Sequence, residues 1–250
     1  MANPDLWVRR FHPSDDSKVR LVCLPHAGGS ASFYYPMSAG LAPTVDVLSV
    51  QYPGRQDRRN EPGVGSIAAL ADAVTEALGP WLDRPLMLFG HSMGAIVAFE
   101  VARRLERDGT GQLLSIFASG RRAPSCARDE SVHLRDDDGI VEEMKALSGT
   151  DARVLGDEEL LRMILPAIRS DYRAIERYRC AEDVTVSCPV VTLTGDDDPR
   201  TTIAEAQSWE RHTTGPFELR VFQGGHFFLA AHQNEVINAV SDMLLSCGGL

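Results

Sequence analysis

The chain has 250 residues, an ordinary globular composition and a formal net charge of -10 at pH 7. Its length suits a single α/β domain that can bury a large core. The negative charge disfavours nucleic-acid binding, because affinity for a phosphate backbone requires a basic surface.

The cysteines and the N-terminal segment indicate the compartment. Five cysteines are widely spaced and lack the pairing of metal ligands. This pattern is typical of free thiols in a reducing cytosol, so we expect no metal site. No apolar run approaches the length that spans a bilayer, and the first residues lack the basic and apolar regions of a signal peptide. We therefore expect a soluble, cytoplasmic protein without a membrane partner.

Short apolar runs alternate with amphipathic segments along the chain. This alternation is typical of an α/β fold with a mostly parallel sheet and helices on both faces. Residues 6–11 predict a possible edge strand. Six further runs predict strands, at residues 19–24, 45–50, 86–89, 113–117, 190–193 and 217–222.

Helical segments connect the predicted strands. Apolar spacing predicts a helix over residues 67–78 and a second over 93–107, which begins buried against the sheet. The alternation stops over residues 125–183, where charged helical stretches are interrupted by Pro166. About 60 residues with a thin apolar stripe make a poor independent core. We therefore interpret 125–183 as a helical lid insertion within one domain of residues 1–250.

One glycine-rich segment predicts a catalytic nucleophile. Residues 86–95 place Gly-x-Ser-x-Gly directly between an apolar strand and a helix. In that context Gly90 and Gly94 permit the sharp turn of a nucleophile elbow, which holds Ser92 in a strained, exposed position. The alternative is a glycine-rich turn that only packs a helix on a strand. We predict that Ser92 is the nucleophile.

A serine hydroxyl needs a base to remove its proton near neutral pH. Among the seven histidines, His226 follows the last predicted strand and lies in a glycine-rich loop. An α/β-hydrolase places its base there. The alternative is a histidine packed beside Phe227 and Phe228. We predict that His226 is the base.

The base needs an anion that orients its ring, and this fold supplies one from the loop after a strand between serine and histidine. Residues 195–199 hold three adjacent aspartates in that place. Pro199 biases Asp198 toward an extended backbone, and successive extended residues point in opposite directions. Asp196 and Asp198 therefore remain candidates, whereas Asp197 is expected to face the turn or solvent.

Two backbone N–H groups must stabilise the tetrahedral intermediate. One is expected from Met93, the residue after the nucleophile, and the other from the loop over residues 24–30. Gly28 and Gly29 allow this loop to approach a ligand closely. A phosphate-binding loop is the competing interpretation, but the segment lacks the spacing and the lysine of a P-loop.

With these segments in place, the chain resembles the type II thioesterases, stand-alone α/β-hydrolases that accompany polyketide synthases and nonribosomal peptide synthetases. The resemblance runs from about residue 5 to residue 245. It rests on five segments in family order: Leu24-Pro-His-Ala-Gly-Gly-Ser30, Val50-Gln-Tyr-Pro-Gly-Arg55, Gly90-His-Ser-Met-Gly-Ala95, Gly195-Asp-Asp-Asp-Pro199 and Gly224-Gly-His-Phe-Phe-Leu229.

The resemblance implies catalytic Ser92, Asp198 and His226, and an oxyanion hole formed by the N–H groups of Ala27 and Met93. It also implies hydrolysis of acyl groups from the phosphopantetheine arm of acyl or peptidyl carrier proteins, which clears stalled or aberrant chains. No metal or cofactor is expected. The alternatives are a carboxylesterase or acyltransferase with the same triad, and a non-catalytic module that docks on a synthase.

An arginine-rich run over residues 55–59 is a candidate docking patch for the carrier protein. Carrier proteins are usually acidic, and this chain is acidic too, so its net charge supplies no long-range attraction. Most charge runs are solvated, and we expect this run to be solvated surface.

Overall fold

The computed structural model describes residues 4–147 and 157–247. Its seven strands are β1 (Val8–Arg9), β2 (Arg20–Leu24), β3 (Asp46–Val50), β4 (Leu86–His91), β5 (Leu113–Ser119), β6 (Val190–Gly195) and β7 (Phe217–Phe222). They form one sheet in the order β1-β3-β2-β4-β5-β6-β7. The β1 strand pairs antiparallel with β3, and the other pairings in the sheet are parallel. The predicted mostly parallel α/β fold is confirmed.

Helices lie on both faces of this sheet. They are α1 (Pro4–Trp7), α2 (Tyr35–Leu41), α3 (Ile67–Leu78), α4 (Met93–Asp108), α5 (Asp137–Leu147), α6 (Glu158–Glu176), α7 (Ile203–Gln207), α8 (Phe228–Ala231) and α9 (Gln233–Ser246). Val22 and Leu24 pack in the core on the α3 and α4 side, whereas Leu21 and Cys23 pack on the α2 and α9 side. Side chains of a strand alternate between faces, so β2 is buried on both.

The six strands predicted from residue 19 onward are present, with ends shifted by at most two residues. The β2, β3, β4 and β6 strands are buried at every position, because parallel strands covered by helices are buried on both faces. The β7 strand lies at the sheet edge, and its residues are half-buried or exposed. The predicted edge strand over 6–11 is too long, because only Val8 and Arg9 pair with β3. Trp7 belongs to α1, and Arg10 directs its Nε to Asp46 Oδ1 at 2.9 Å.

The predicted interruption at Pro166 is wrong, because α6 runs unbroken from Glu158 to Glu176. Proline removes one helical hydrogen bond and crowds the preceding turn. The cost is offset by a cap at Asp157, whose Oδ1 accepts from two N–H groups at 3.0 Å. It is offset further by burial of one helix face, which includes Leu165 and Ile168.

The described part of segment 125–183 contains α5, α6 and a short 3-10 turn, but no strand. Residues 148–156 of the predicted insertion lie outside the described residues. Val132, Ile140 and Ile168 belong to a small apolar cluster of this segment, separate from the two clusters against the sheet. Its action as a lid stays a prediction.

All five cysteines are free thiols. Among residues 4–147 and 157–247, no helix is both long enough and apolar enough to cross a membrane.

Candidate active site

Ser92 lies at the junction of β4 and α4, at the C-terminal edge of the sheet. Its backbone has φ 54° and ψ -117°, a strained conformation for a residue with a side chain. A Cβ on Gly90 would lie 2.1 Å from Gly94 O, and a Cβ on Gly94 would lie 2.0 Å from Leu24 O. Both positions therefore require glycine, as the predicted elbow does.

His226 lies between Ser92 and Asp198. Its Nε2 is 3.0 Å from Ser92 Oγ, and its Nδ1 is 3.0 and 2.9 Å from the two carboxylate oxygens of Asp198. His226 and Asp198 are buried, whereas Ser92 is half-buried. This arrangement allows His226 to accept the serine proton while Asp198 stabilises the imidazolium.

The three adjacent aspartates have different environments. Asp198 is buried, and its Oδ1 also accepts from the Arg200 N–H at 2.8 Å. Asp196 is exposed and accepts from the Gly224 N–H at 2.8 Å. Asp197 is exposed, and its own N–H donates to the Gly224 carbonyl at 3.0 Å. The structure thus brings Asp198 to the histidine, whereas Asp196 contacts the backbone of the histidine loop.

The predicted oxyanion donors meet beside Ser92. Ala27 follows β2 and Met93 begins α4, and both line a small cavity of about 40 Å³ together with Ser92 and His226. Among the hydrogen bonds of the described residues, neither the Ala27 nor the Met93 N–H has an acceptor. The first N–H groups of a helix lack intrahelical partners. Both N–H groups thus belong to residues that line this cavity and have no acceptor among the described residues, as the predicted oxyanion hole requires.

Two further histidines, His26 and His91, lie near His226. The His91 and His26 ring centroids are 5.1 and 4.8 Å from that of Phe227. Burial, followed by the nearby His226, lowers the pKa of His91 well below its usual value and that of His26 to about 3. Both rings are therefore neutral near pH 7, and they add no positive charge beside a developing imidazolium.

A second, larger cavity of about 470 Å³ adjoins the small one. The two share five lining residues, which are His26, Ala27, Leu147, Tyr172 and Phe227. The larger cavity is bordered by the loop after β2 and by mostly apolar side chains of α5 and α6, including Met144, Leu160, Ile164 and Ile168. A concave, mainly apolar site of this size suits an acyl chain or another extended ligand.

The small cavity also has a charged wall, which the sequence did not predict. Arg121 lines it, and burial followed by repulsion from Arg122 lowers the pKa of Arg121 to about 9. Glu130 lies in the same wall and is paired with Arg122 and Arg200. Among the described residues, no cluster of His, Cys, Asp or Glu is arranged to hold a metal ion.

The expectation that run 55–59 is solvated is wrong for Arg55 and Arg58, which are buried. Arg58 Nη1 donates to the Gln51 carbonyl at 2.8 Å, and its guanidinium lies 4.4 Å from the Trp7 ring centroid. Arg55 forms a buried ion pair with Asp171 of α6, with Nη1–Oδ2 and Nη2–Oδ1 distances of 2.9 and 3.0 Å.

Asp171 is a functional candidate that the sequence analysis missed. It shares the buried face of α6 with Ile168 and Ile175, at helical spacings of three and four residues. A charged residue within an apolar stripe was the available signal, because such residues are rarely buried without a partner.

The chain is similar to known thioesterases. The family model described as Thioesterase domain matches residues 19–244. The probable cadicidin biosynthesis thioesterase of Streptomyces griseus is 60% identical over 238 residues, which cover 95% of this chain and 66% of that protein. Thioesterase PikA5 of Streptomyces venezuelae is 52% identical over 245 residues, which cover 98% of this chain and 87% of that protein.

Among solved structures, the type II thioesterase BorB from the borrelidin biosynthetic cluster has a TM-score of 0.90 and 48% identity, covering 98% of this chain and 100% of BorB. The chain spans just under two thirds of the cadicidin relative, which is the longer protein. The family model, the two relatives and the BorB structure each match most of the chain, and all are described as thioesterases. The chain therefore belongs to the thioesterase family, the α/β-hydrolases that act on thioesters.

Proposed function

We propose that this thioesterase hydrolyses acyl groups from the phosphopantetheine arm of acyl or peptidyl carrier proteins and removes stalled or aberrant chains in polyketide or nonribosomal peptide synthesis. The observation that carries the proposal is the contact chain from Ser92 through His226 to Asp198, beside an apolar cavity of about 470 Å³. The names of the similar proteins support a biosynthetic pathway of this kind.

In the first half of the reaction, Ser92 Oγ attacks the thioester carbonyl carbon while His226 Nε2 takes the hydroxyl proton. The carbonyl oxygen becomes an oxyanion that accepts hydrogen bonds from the N–H groups of Ala27 and Met93. Each such donor typically contributes about 3 kcal/mol to the barrier reduction. The carbon–sulfur bond then breaks, and His226 gives the serine proton to the departing sulfur, so that pantetheine leaves as its thiol and His226 is neutral again; little acid assistance is needed because a thiolate is a stable anion.

In the second half, water attacks the acyl-Ser92 ester and gives its proton to His226 Nε2. The same two N–H groups stabilise the second oxyanion, and His226 returns the proton to Ser92 Oγ as the carboxylic acid leaves. Asp198 remains ionised and stabilises the imidazolium in both halves. The chain's own residues thus supply every proton transfer in the cycle.

In this proposal the acyl chain lies in the larger cavity, where α5 and α6 provide apolar side chains. Segment 125–183 then acts as a lid that covers the acyl chain. This lid belongs to a single domain of residues 1–250. Covering the site excludes water from the acyl chain and strengthens the electrostatic contacts around the oxyanion.

A carboxylesterase or acyltransferase that uses the same residues is the competing function. The test compares turnover of an acyl-carrier thioester with that of an oxygen ester carrying the same acyl group. We expect a higher kcat/KM for the carrier thioester. Equal or faster hydrolysis of the oxygen ester, or transfer of the acyl group to an added alcohol, would favour the competing function.

The editing role needs its own experiment. Carrier proteins loaded with acyl groups of graded length are incubated with the enzyme, and intact mass reports the acyl group that each carrier retains. We expect the wild type to remove short and aberrant acyl groups first, and we expect a Ser92→Ala control to leave every acyl group on its carrier. Retention on every carrier with the wild type would support the non-catalytic docking module instead.

A further inference from the structure

The loop over residues 26–30 carries the Ala27 N–H. Two residues of α6, Ile168 and Asp171, contact this loop at Gly28. Gly28 has φ +75°, a conformation that favours glycine. A Cβ at Gly28 would lie 2.8 Å from Ile168 Cγ1, so the helix packs directly on the loop backbone. The Gly28 N–H donates to Asp171 Oδ2 at 2.8 Å.

Asp171 is also bound by Arg55, whose Nη1 shares Oδ2 with the Gly28 N–H. The two guanidinium N–H groups reach the two carboxylate oxygens at 2.9 and 3.0 Å, and Arg55 Nη1 also donates to the Gly29 carbonyl at 3.0 Å. Arg55 and Asp171 are 6% and 2% exposed. A bidentate pair sheltered from water has a fixed geometry, since the planar guanidinium matches the carboxylate.

The Arg55–Asp171 pair therefore contacts the loop backbone at two consecutive residues, Gly28 and Gly29. Asp171 accepts the Gly28 N–H, and Arg55 donates to the Gly29 carbonyl. Ala27 immediately precedes these two residues, and its N–H lies within one peptide of the anchored segment. Small displacements of an oxyanion donor are costly, because stabilisation depends on a distance of about 3 Å to the developing charge.

We propose that Asp171 and Arg55 are positioning residues, which hold the Ala27 N–H at its place in the oxyanion hole. The position of this N–H then depends on the packing of α6 against the loop. The inference rests on the proposed function, because it requires Ala27 to be an oxyanion donor. Movement of α6 away from the loop would remove the Asp171 and Ile168 contacts together. The oxyanion hole is then complete only while α6 covers the larger cavity.

The competing explanation is that the pair only stabilises the fold, and the chain offers a matched control. Asp46 is also a fully buried aspartate, bound by Arg10 Nε at 2.9 Å and by the Ser14 N–H at 3.3 Å. Arg20 Nε lies 3.5 Å from its other oxygen. Asp46 begins β3, at the sheet edge opposite Ser92. Asp171 and Asp46 thus have similar partners but opposite locations.

The experiment measures kcat, KM and thermal stability for Asp171→Asn and Asp46→Asn with a carrier-bound thioester. In Asp171→Asn the amide NH₂ replaces either Oδ2, which accepts from the Gly28 N–H and Arg55 Nη1, or Oδ1, which accepts from Arg55 Nη2. In both cases the bidentate pair that fixes Arg55 against the loop is broken and the negative charge is lost. We expect kcat to fall about 10- to 100-fold while KM changes less than about twofold, as expected for a contact made in the transition state. Asp46→Asn should retain the wild-type kcat.

An acyl trifluoromethyl ketone gives a second readout. Ser92 Oγ adds to its carbonyl carbon, His226 takes the serine proton, and the resulting hemiketal oxyanion occupies the oxyanion hole. We expect the affinity of this inhibitor to fall in Asp171→Asn by the same factor as kcat/KM, and to be unchanged in Asp46→Asn. Arg55→Lys keeps the charge but cannot form both contacts, so we expect it to lower the inhibitor affinity by a similar factor.

Two outcomes would overturn the inference. One is wild-type kcat and inhibitor affinity in Asp171→Asn and Arg55→Lys, and the other is an equal loss of kcat in Asp171→Asn and Asp46→Asn. If the wild type hydrolyses no thioester, or if Ser92→Ala hydrolyses it fully, the proposed function fails first, so the two failures are distinguishable. Should Asp171→Asn fold poorly, Arg55→Lys carries the same comparison.

Discussion

The two edges of the sheet both bury charged side chains, and among the described residues the strained backbone at Ser92 and the two cavities of the candidate site lie at the C-terminal edge. At the N-terminal edge, Asp46 is fully buried and bound by two arginines. At the C-terminal edge, Asp198 is buried against His226, and Ser92 has a positive φ beside two cavities. Buried charge alone therefore does not mark function in this molecule. The combination with strain and a cavity does, because strain persists where a site requires it.

The largest expected effect at the C-terminal edge is the loss of activity in Ser92→Ala. Removing the nucleophile should lower kcat/KM for a carrier thioester by about 10⁵-fold or more, since the proposed triad acts as a unit. Thermal unfolding should stay close to that of the wild type. Full activity in this variant would remove the serine mechanism.

Exchange within the three adjacent aspartates tests the same edge more finely. Asp198→Asn should lower kcat about 10³- to 10⁴-fold, because the amide favours the wrong histidine tautomer. Asp196→Asn serves as the control and should stay within about threefold, because its side chain is exposed and contacts only a loop N–H. Steady-state kinetics of both variants decide, and a larger loss in Asp196→Asn would reverse the assignment.

The N-terminal edge should behave in the opposite way. Asp46→Asn removes the buried carboxylate shared by the half-buried Arg10 and the buried Arg20, although Arg10 keeps Asp15 and Arg20 keeps Asp83. The free energy of unfolding should fall by about 2 kcal/mol. The same variant should keep the wild-type kcat, because Asp46 lies at the far end of β3. Urea unfolding and kinetics on one preparation test both statements. A loss of kcat without a loss of stability would contradict the division between the edges.

The smallest predicted effect concerns the neutral His91. Burial lowers its pKa in the folded state, so below pH 6.5 the unfolded chain binds more protons than the folded chain. Stability should therefore fall with falling pH, by up to about 1.4 kcal/mol per pH unit for one such histidine. Urea unfolding between pH 7.5 and pH 5 measures this slope. His91→Gln should flatten it, and an unchanged slope would assign the effect to other groups.

Local sequence patterns predicted much of the fold and much of the candidate site. The internal strands followed from apolar runs, and the elbow followed from Gly90 and Gly94 between a strand and a helix. These features depend on neighbours in the chain, so spacing and residue type suffice to predict them. The failures at Pro166 and at Arg55 have the opposite origin, because partners far along the chain decide whether a helix continues or a charge is buried.

Local patterns in the sequence predicted the strands in chain order, the α3 and α4 helices, the strained turn at Ser92 and the loop positions of the aspartates and His226. The residues alone left Asp196 and Asp198 as candidates, and the family resemblance favoured Asp198. The tertiary structure places Asp198, and not Asp196, against the imidazole. It also decided that Arg55 meets Asp171, which is 116 residues away in the chain. The physical reason is that periodicity and turn chemistry are local, whereas the pairing of buried charges depends on which surfaces the fold brings together.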